Sequence, residues 1–198
     1  MGDDLTEKYI QRSLEPVLRK AADQFPAVVL TGPRQSGKTT LLKHLFAHKY
    51  GYISLEPPDV RAAAGNDPRG FLDMYPAPAI FDEIQYAPNL LPYIKERLDA
   101  DRGRAGQYLL TGSQNLLLTA KVTESLAGRA AMLRLLPLSG REATGKPLSP
   151  MIWQEGWEED VACISYKALW QGFLRGGYPE LVADKKRDIH LWHGCSLP

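Results

Sequence analysis

The chain has 198 residues, 44% of them hydrophobic and 24% charged, enough for one well-buried α/β domain with a small appendage but not for two full domains. Its 24 Lys and Arg against 23 Asp and Glu leave a formal charge of +1, no global attraction for nucleic acid, and no apolar run is long enough to cross a bilayer. The acidic start Met1-Gly-Asp-Asp-Leu-Thr-Glu-Lys is unlike a secretory signal, so a cytoplasmic location is expected, and Cys163 and Cys195 form neither a disulfide framework nor a paired zinc motif.

Tyr9 to Ala22 carries Ile10, Leu14, Val17, Leu18 and Ala21 at helical spacing, which predicts a short amphipathic helix distorted or restarted at Pro16. Ala27 to Thr31 is a continuous apolar, β-branched run, as a strand covered on both faces requires. A glycine loop and a helix to about Ala47 follow, then a strand at Tyr50 to Leu55, which together make a βαβ unit. Asp59 to Leu72 reads as short helices interrupted around Gly65-Asn-Asp-Pro, and Ala79-Ile-Phe as a third buried strand. Leu90 to Leu98 has helical spacing, Gln107 to Thr111 is a fourth strand, Asn115 to Leu126 a helix, and Ala131 to Leu136 a fifth strand. Strands alternating with helices predict a three-layer α/β fold with a mainly parallel five-stranded sheet.

From Pro137 the prolines and glycines thicken, which marks a connection out of the core between about Leu138 and Pro150. Beyond it, Ser165 to Leu174 reads as a helix, and Arg175-Gly-Gly-Tyr-Pro-Glu as a sharp turn with a second helical stretch behind it. The expected organisation is an N-terminal helix over 1–24, a core over 25–142, and a linker with a short helical remnant over 143–198. His190, His193 and Cys195 cluster near the end, but no second cluster completes a tetrahedral metal site, so a polar chain end is the plainer reading.

Gly32-Pro-Arg-Gln-Ser-Gly-Lys-Thr matches G-x-x-x-x-G-K-[ST] between an apolar strand and an amphipathic helix. Gly32 and Gly37 let the backbone turn tightly, so that the N–H groups of Pro33-flanking residues Arg34, Gln35 and Ser36 and of the helix start, through Thr40, are expected to surround phosphate. Lys38 is expected to reach the β- and γ-phosphates, and the Thr39 hydroxyl to bind Mg²⁺. No N-K-x-D element for reading guanine is present, which favours ATP over GTP.

Pro78-Ala-Ile-Phe-Asp-Glu ends an apolar strand in two carboxylates at the sheet edge where ligands of parallel sheets collect. Asp82 is the candidate partner of Mg²⁺, and Glu83, facing another way, the candidate base that polarises an attacking water. In Leu110-Thr-Gly-Ser-Gln-Asn, Ser113, Gln114 or Asn115 either senses the γ-phosphate or caps the next helix. Arg129, in Leu126-Ala-Gly-Arg, is either a finger that completes a neighbouring copy's site or an ordinary helix-end arginine.

These elements together resemble the AAA+ ATPases, and more narrowly the prokaryotic ATPases whose AAA core is followed by a C-terminal domain of unknown function. The resemblance runs through Tyr9-Ile-Gln-Arg, the glycine loop, Ile53-Ser-Leu-Glu, Ile80-Phe-Asp-Glu-Ile-Gln-Tyr-Ala-Pro, Leu110-Thr-Gly-Ser-Gln-Asn, Ser125-Leu-Ala-Gly-Arg and Leu136-Pro-Leu-Ser. It implies a P-loop NTPase fold with strand order 5-1-4-3-2 over these segments, Lys38 and Thr39 as Walker A, Asp82 and Glu83 as Walker B, Thr111 to Gln114 as sensor 1, and Arg129 at the arginine-finger position. Gly176-Gly-Tyr-Pro-Glu is similar to the opening of the family's C-terminal domain, but Trp192-His-Gly-Cys-Ser-Leu-Pro reads as neither a capped helix nor that domain's continuation. A truncated or frame-shifted product is the expectation from that departure.

The leading functional expectation is Mg²⁺-dependent ATP hydrolysis that drives a conformational change in the protein or in an unidentified protein partner. The alternative is a nucleotide-dependent switch or binding module with little or no turnover. A homo-oligomer is expected if Arg129 works on a second copy. A small-molecule kinase would need an arginine-rich acceptor lid, for which Asp101-Arg-Gly-Arg is the lone candidate and a surface turn the better account.

Overall fold

A computed structural model describes residues 9–113, 122, 124–148, 155 and 165–196. The chain divides into two compact units, one spanning 14–136 and the other made of 1–13 and 137–198.

In the larger unit the first helix, α1 (Glu15–Gln24), begins later than the apolar spacing predicts, because Pro16 lies at its first turn and opens the helix rather than bending it. Residues 9–12 ahead of it are not helical. The strands β1 (Ala27–Gly32), β2 (Gly51–Ser54), β3 (Ala79–Asp82), β4 (Tyr108–Ser113) and β5 (Ala130–Arg134) form one sheet in the order β2-β3-β4-β1-β5, all parallel, as the resemblance implied. Between them run α2 (Lys38–Phe46), α3 (Pro58–Asn66), α4 (Pro68–Met74) and α5 (Leu90–Ala100). The helix expected over Asn115 to Leu126 falls mostly outside the described residues, although 124–126 are helical.

Alternation along the strands sorts the core into two layers. Ala27, Val29, Ile53, Phe81, Tyr108 and Leu110 face one side, where they pack with Phe71 and Leu72 of α4 and Leu90, Ile94 and Leu98 of α5. Phe81 stacks on Tyr108 at 5.8 Å and lies 6.0 Å from Phe71, an aromatic file that crosses from the sheet to the helices. Val28, Leu30, Ile80 and Leu109 alternate to the opposite face, the side of α1 and α2. Strand residues with water on neither face explain the near-continuous apolar runs of the sequence.

The smaller unit is held by polar ties. Ser139 caps α6 (Gly140–Ala143) in a capping box, with Glu142 reaching back to the Ser139 N–H at 2.7 Å. The other oxygen of Glu142 accepts from the Ser13 N–H at 2.7 Å and from Arg12 Nε at 3.1 Å, with both partners of that ion pair buried. Ser165 caps α7 (Tyr166–Arg175), and α8 (Pro179–Ala183) follows the glycine turn. The terminal stretch differs from its expectation: Ile189–Ser196 is a helix, α9, with the Asp188 carboxylate accepting from the Leu191 N–H at 3.0 Å in the manner of an N-cap. Trp192 is buried, 4.7 Å from the Tyr178 ring, and its indole N–H donates to Glu180 at 2.8 Å. That contact, 14 residues back in sequence to Tyr178, is what local patterning does not reveal.

Candidate phosphate-handling site

The loop between β1 and α2 takes its shape from three residues with positive φ. Gly32 (φ 153°) leaves the strand, Gln35 (φ 60°) turns the loop, and Gly37 (φ 91°) stands as N-cap of α2. Gly32 is required twice over, since a Cβ there would also lie 2.1 Å from the Leu135 carbonyl oxygen beyond the end of β5. Gly37 carries no side chain that could cap α2, so the first-turn N–H groups of that helix face the loop at its positive end. Arg34, Gln35 and Thr40 are exposed, Pro33 and Thr39 half-buried, and Ser36 and Lys38 buried. The Lys38 ammonium donates to the Gly32 and Pro33 carbonyls at 3.2 and 2.9 Å, which holds it over the loop. Burial lowers the Lys38 pKa, opposed by the negative charges of Glu83 and Asp82.

Register explains what meets there. Paired residues of parallel strands share a face, so one step beyond the Phe81 and Leu110 pair sets Asp82 opposite Thr111 on the side of α2. Asp82 accepts from the Thr39 hydroxyl at 2.9 and 3.1 Å, from the Tyr52 hydroxyl at 2.7 Å, and from the Thr111 hydroxyl. Tyr52 is pushed up from its ordinary pKa by burial and by its bond to Asp82, so it stays a donor, and the Lys43 ammonium lies 3.7 Å above its ring. Thr39 and Asp82 are hard oxygen ligands within hydrogen-bond reach of each other, a donor set suited to Mg²⁺. Among the described residues no group of three or more His, Cys, Asp or Glu could hold a metal. The side chains of His193 and Cys195, clustered with His190 in the sequence, lie outside the described residues.

Glu83 turns out of the strand in a left-handed conformation (φ 60°, ψ 51°), and its partners differ from those of Asp82. The Glu83 N–H donates to Thr111 Oγ1 at 2.9 Å, and its carboxylate accepts from the Gln85 amide. Gln85 also accepts from the Ser113 N–H at 3.3 Å. Ser113 is thereby brought into the group at the end of β4, whereas Gln114 and Asn115 lie outside the described residues. Tyr52, Thr111 and Gln85 are the members that motif spacing did not single out individually.

Arg129 is elsewhere. Its carbonyl accepts from the N–H of Ala27, at the start of β1, so it lies at the sheet edge opposite the glycine loop. Its guanidinium forms a two-pronged pair with Asp99 at 2.7 and 3.0 Å.

A model of the AAA domain family matches residues 24–144. Two mycobacterial relatives, the uncharacterized proteins Mb2031c of Mycobacterium bovis and Rv2008c of Mycobacterium tuberculosis, are each 33% identical over 178 residues, covering 88% of this chain and 35% of theirs. The chain therefore spans about a third of the length of the curated relatives it matches. Among solved structures, the Walker-type ATPase PABY2304 of Pyrococcus abyssi is similar at a TM-score of 0.53 and 17% identity, covering 90% of this chain and 67% of that one. At that identity the likeness speaks for the fold.

Proposed function

This chain belongs to the AAA domain family and has the fold of an AAA-type P-loop ATPase, and from that premise we propose that it hydrolyses ATP with Mg²⁺ to drive a conformational change in itself or in a partner. The observation that carries the proposal is the convergence on one sheet edge of Lys38, the Thr39 and Asp82 oxygen pair, and a second carboxylate, Glu83, which Gln85 engages. The loop N–H groups and Lys38 bind and neutralise the phosphate chain. Thr39 and Asp82 would hold Mg²⁺, which when bound supplies positive charge to the β- and γ-phosphate oxygens. Glu83 takes a proton from water as the water oxygen bonds to the γ-phosphorus; the bond from that phosphorus to the bridging oxygen breaks, and ADP and inorganic phosphate leave. Arg129, engaged by Asp99 in its own chain, takes no part in this step.

Replacing Glu83 with Gln removes the proton acceptor and keeps the shape. Phosphate release should fall by about 100-fold or more while ATP affinity stays within a few-fold of the parent. A variant that still turns over normally would remove Glu83 from its role. A parent protein that binds ATP tightly and releases no phosphate would instead be a nucleotide-dependent switch.

A further inference from the structure

The Asp-Glu-Ile-Gln segment contains one polar side chain that neither binds phosphate nor activates water, and its bonding is specific. Gln85 sits in a 3₁₀ turn (Ile84–Tyr86) anchored by fully buried Ile84 and by the Tyr86 N–H donating to the Glu83 carbonyl at 3.0 Å. The orientation of its amide is dictated by its neighbours. The Ser113 main chain offers an N–H, which only the amide oxygen can accept, and the Glu83 carboxylate is an acceptor, which only the amide nitrogen can serve. A single side chain thus joins the carboxylate at the end of β3 to the main chain at the end of β4. It does so beside two links through Thr111, which accepts from the Glu83 N–H and donates to Asp82.

We propose that Gln85 is the positioning residue for the Glu83 base, tying its carboxylate to the Ser113 main chain so that the end of β4 and the base keep one relative placement during ATP hydrolysis. The inference rests on the reading of Glu83 as base. Glu83 leaves the strand in a left-handed backbone conformation, and its side chain has freedom that the backbone does not remove. An amide donor on one oxygen leaves the other oxygen for water, whereas an untethered carboxylate samples rotamers in which neither is aligned. A shape-preserving test is available, since Gln85→Glu keeps an oxygen for the Ser113 N–H but replaces the donor to Glu83 with a second carboxylate.

The experiment measures phosphate release and, separately, equilibrium ATP binding for the parent, Gln85→Ala and Gln85→Glu, with thermal unfolding as the check on folding. Both variants should lose about tenfold or more in kcat, with ATP affinity within about twofold of the parent, because misplacing a catalytic group costs rate without costing ground-state binding. Gln85→Glu at parental kcat would show that the donor to Glu83 is unused, and would overturn the proposal. So would equal losses of kcat and ATP affinity in Gln85→Ala, the mark of a purely structural residue. A parent that binds ATP and releases no phosphate defeats the base reading and this inference with it. A parent that turns over alongside unaffected variants defeats the inference alone.

Discussion

Asp82 accepts from three hydroxyl donors that reach it from different elements: Thr39 from α2, Tyr52 from β2 and Thr111 from β4. Such donors fix a carboxylate's direction, and removing a hydrogen-bond partner of a metal ligand typically costs about 10- to 100-fold in metal affinity. Tyr52→Phe deletes one donor and keeps the ring beneath Lys43. The Mg²⁺ concentration for half-maximal phosphate release should rise by about tenfold, with Mg²⁺-free ATP binding unchanged. An unaltered Mg²⁺ titration would exclude Tyr52 from that task. The glycine loop and the Asp-Glu pair were legible in the sequence because each is a run of neighbours between recognisable strand and helix. Tyr52 and Gln85 were not, because a tyrosine in an apolar strand reads as core, and an amide after two carboxylates reads as surface. The parallel register that sets β2, β3 and β4 side by side is what brings Tyr52 to Asp82 and Gln85 to the Ser113 main chain.

Breaks between helices follow the sequence where their signal lies within a few residues. Gly65-Asn-Asp-Pro breaks α3 from α4, and the Asp67 carboxylate accepts from the Gly70 N–H at 2.9 Å as the cap of α4. Asp67→Ala should cost about 1 kcal/mol in denaturant unfolding, and a change below a few tenths would mean that the helix stands without its cap. The first and last helices depart from their sequence patterns for opposite reasons. Apolar spacing runs through Pro16 towards Arg12 and Ser13, which Glu142 engages, and α9 buries Trp192 against Tyr178. The Arg12 and Glu142 pair, 130 positions apart, had no local signal at all. Burial pushes the Glu142 carboxyl up, but the Ser139 and Ser13 N–H groups and then Arg12 more than offset it and hold the pKa below the ordinary glutamate value. A lowered folded-state pKa contributes stability that is present above the unfolded value and is lost as pH falls through the folded one. Thermal stability should therefore decline as pH drops below the usual carboxylate range. Glu142→Gln should flatten part of that decline while lowering stability near neutral pH, and a variant with the parental pH dependence would show that Glu142 contributes nothing to it.

For the whole molecule, Arg129 decides whether one chain suffices for turnover. Parallel strands carry the glycine loop at their C-terminal edge, and Arg129 stands at the other, the length of β1 away, or about 16.5 Å at roughly 3.3 Å for each step from Ala27 to Gly32. It cannot serve its own phosphate loop from there, so a role at phosphate would require a second copy. Within its own chain it already has a partner, since the bond to Arg129 holds the Asp99 pKa down, and the two side chains are only partly exposed. A partly exposed two-pronged pair stabilises modestly, and releasing Arg129 to a neighbour would have to offset its loss. The expected result is that Arg129→Ala lowers the melting temperature by a few degrees at most and leaves kcat unchanged, with turnover per chain independent of protein concentration. The discriminating measurement mixes this variant with Glu83→Gln. If each is inactive alone and the mixture recovers phosphate release, one subunit's Glu83 and another's Arg129 have completed a shared site, and the single-chain account is wrong. If Arg129→Ala is as active as the parent and mixing adds nothing, the arginine belongs to the fold, and every phosphate-handling group lies within residues 14–136 of one chain.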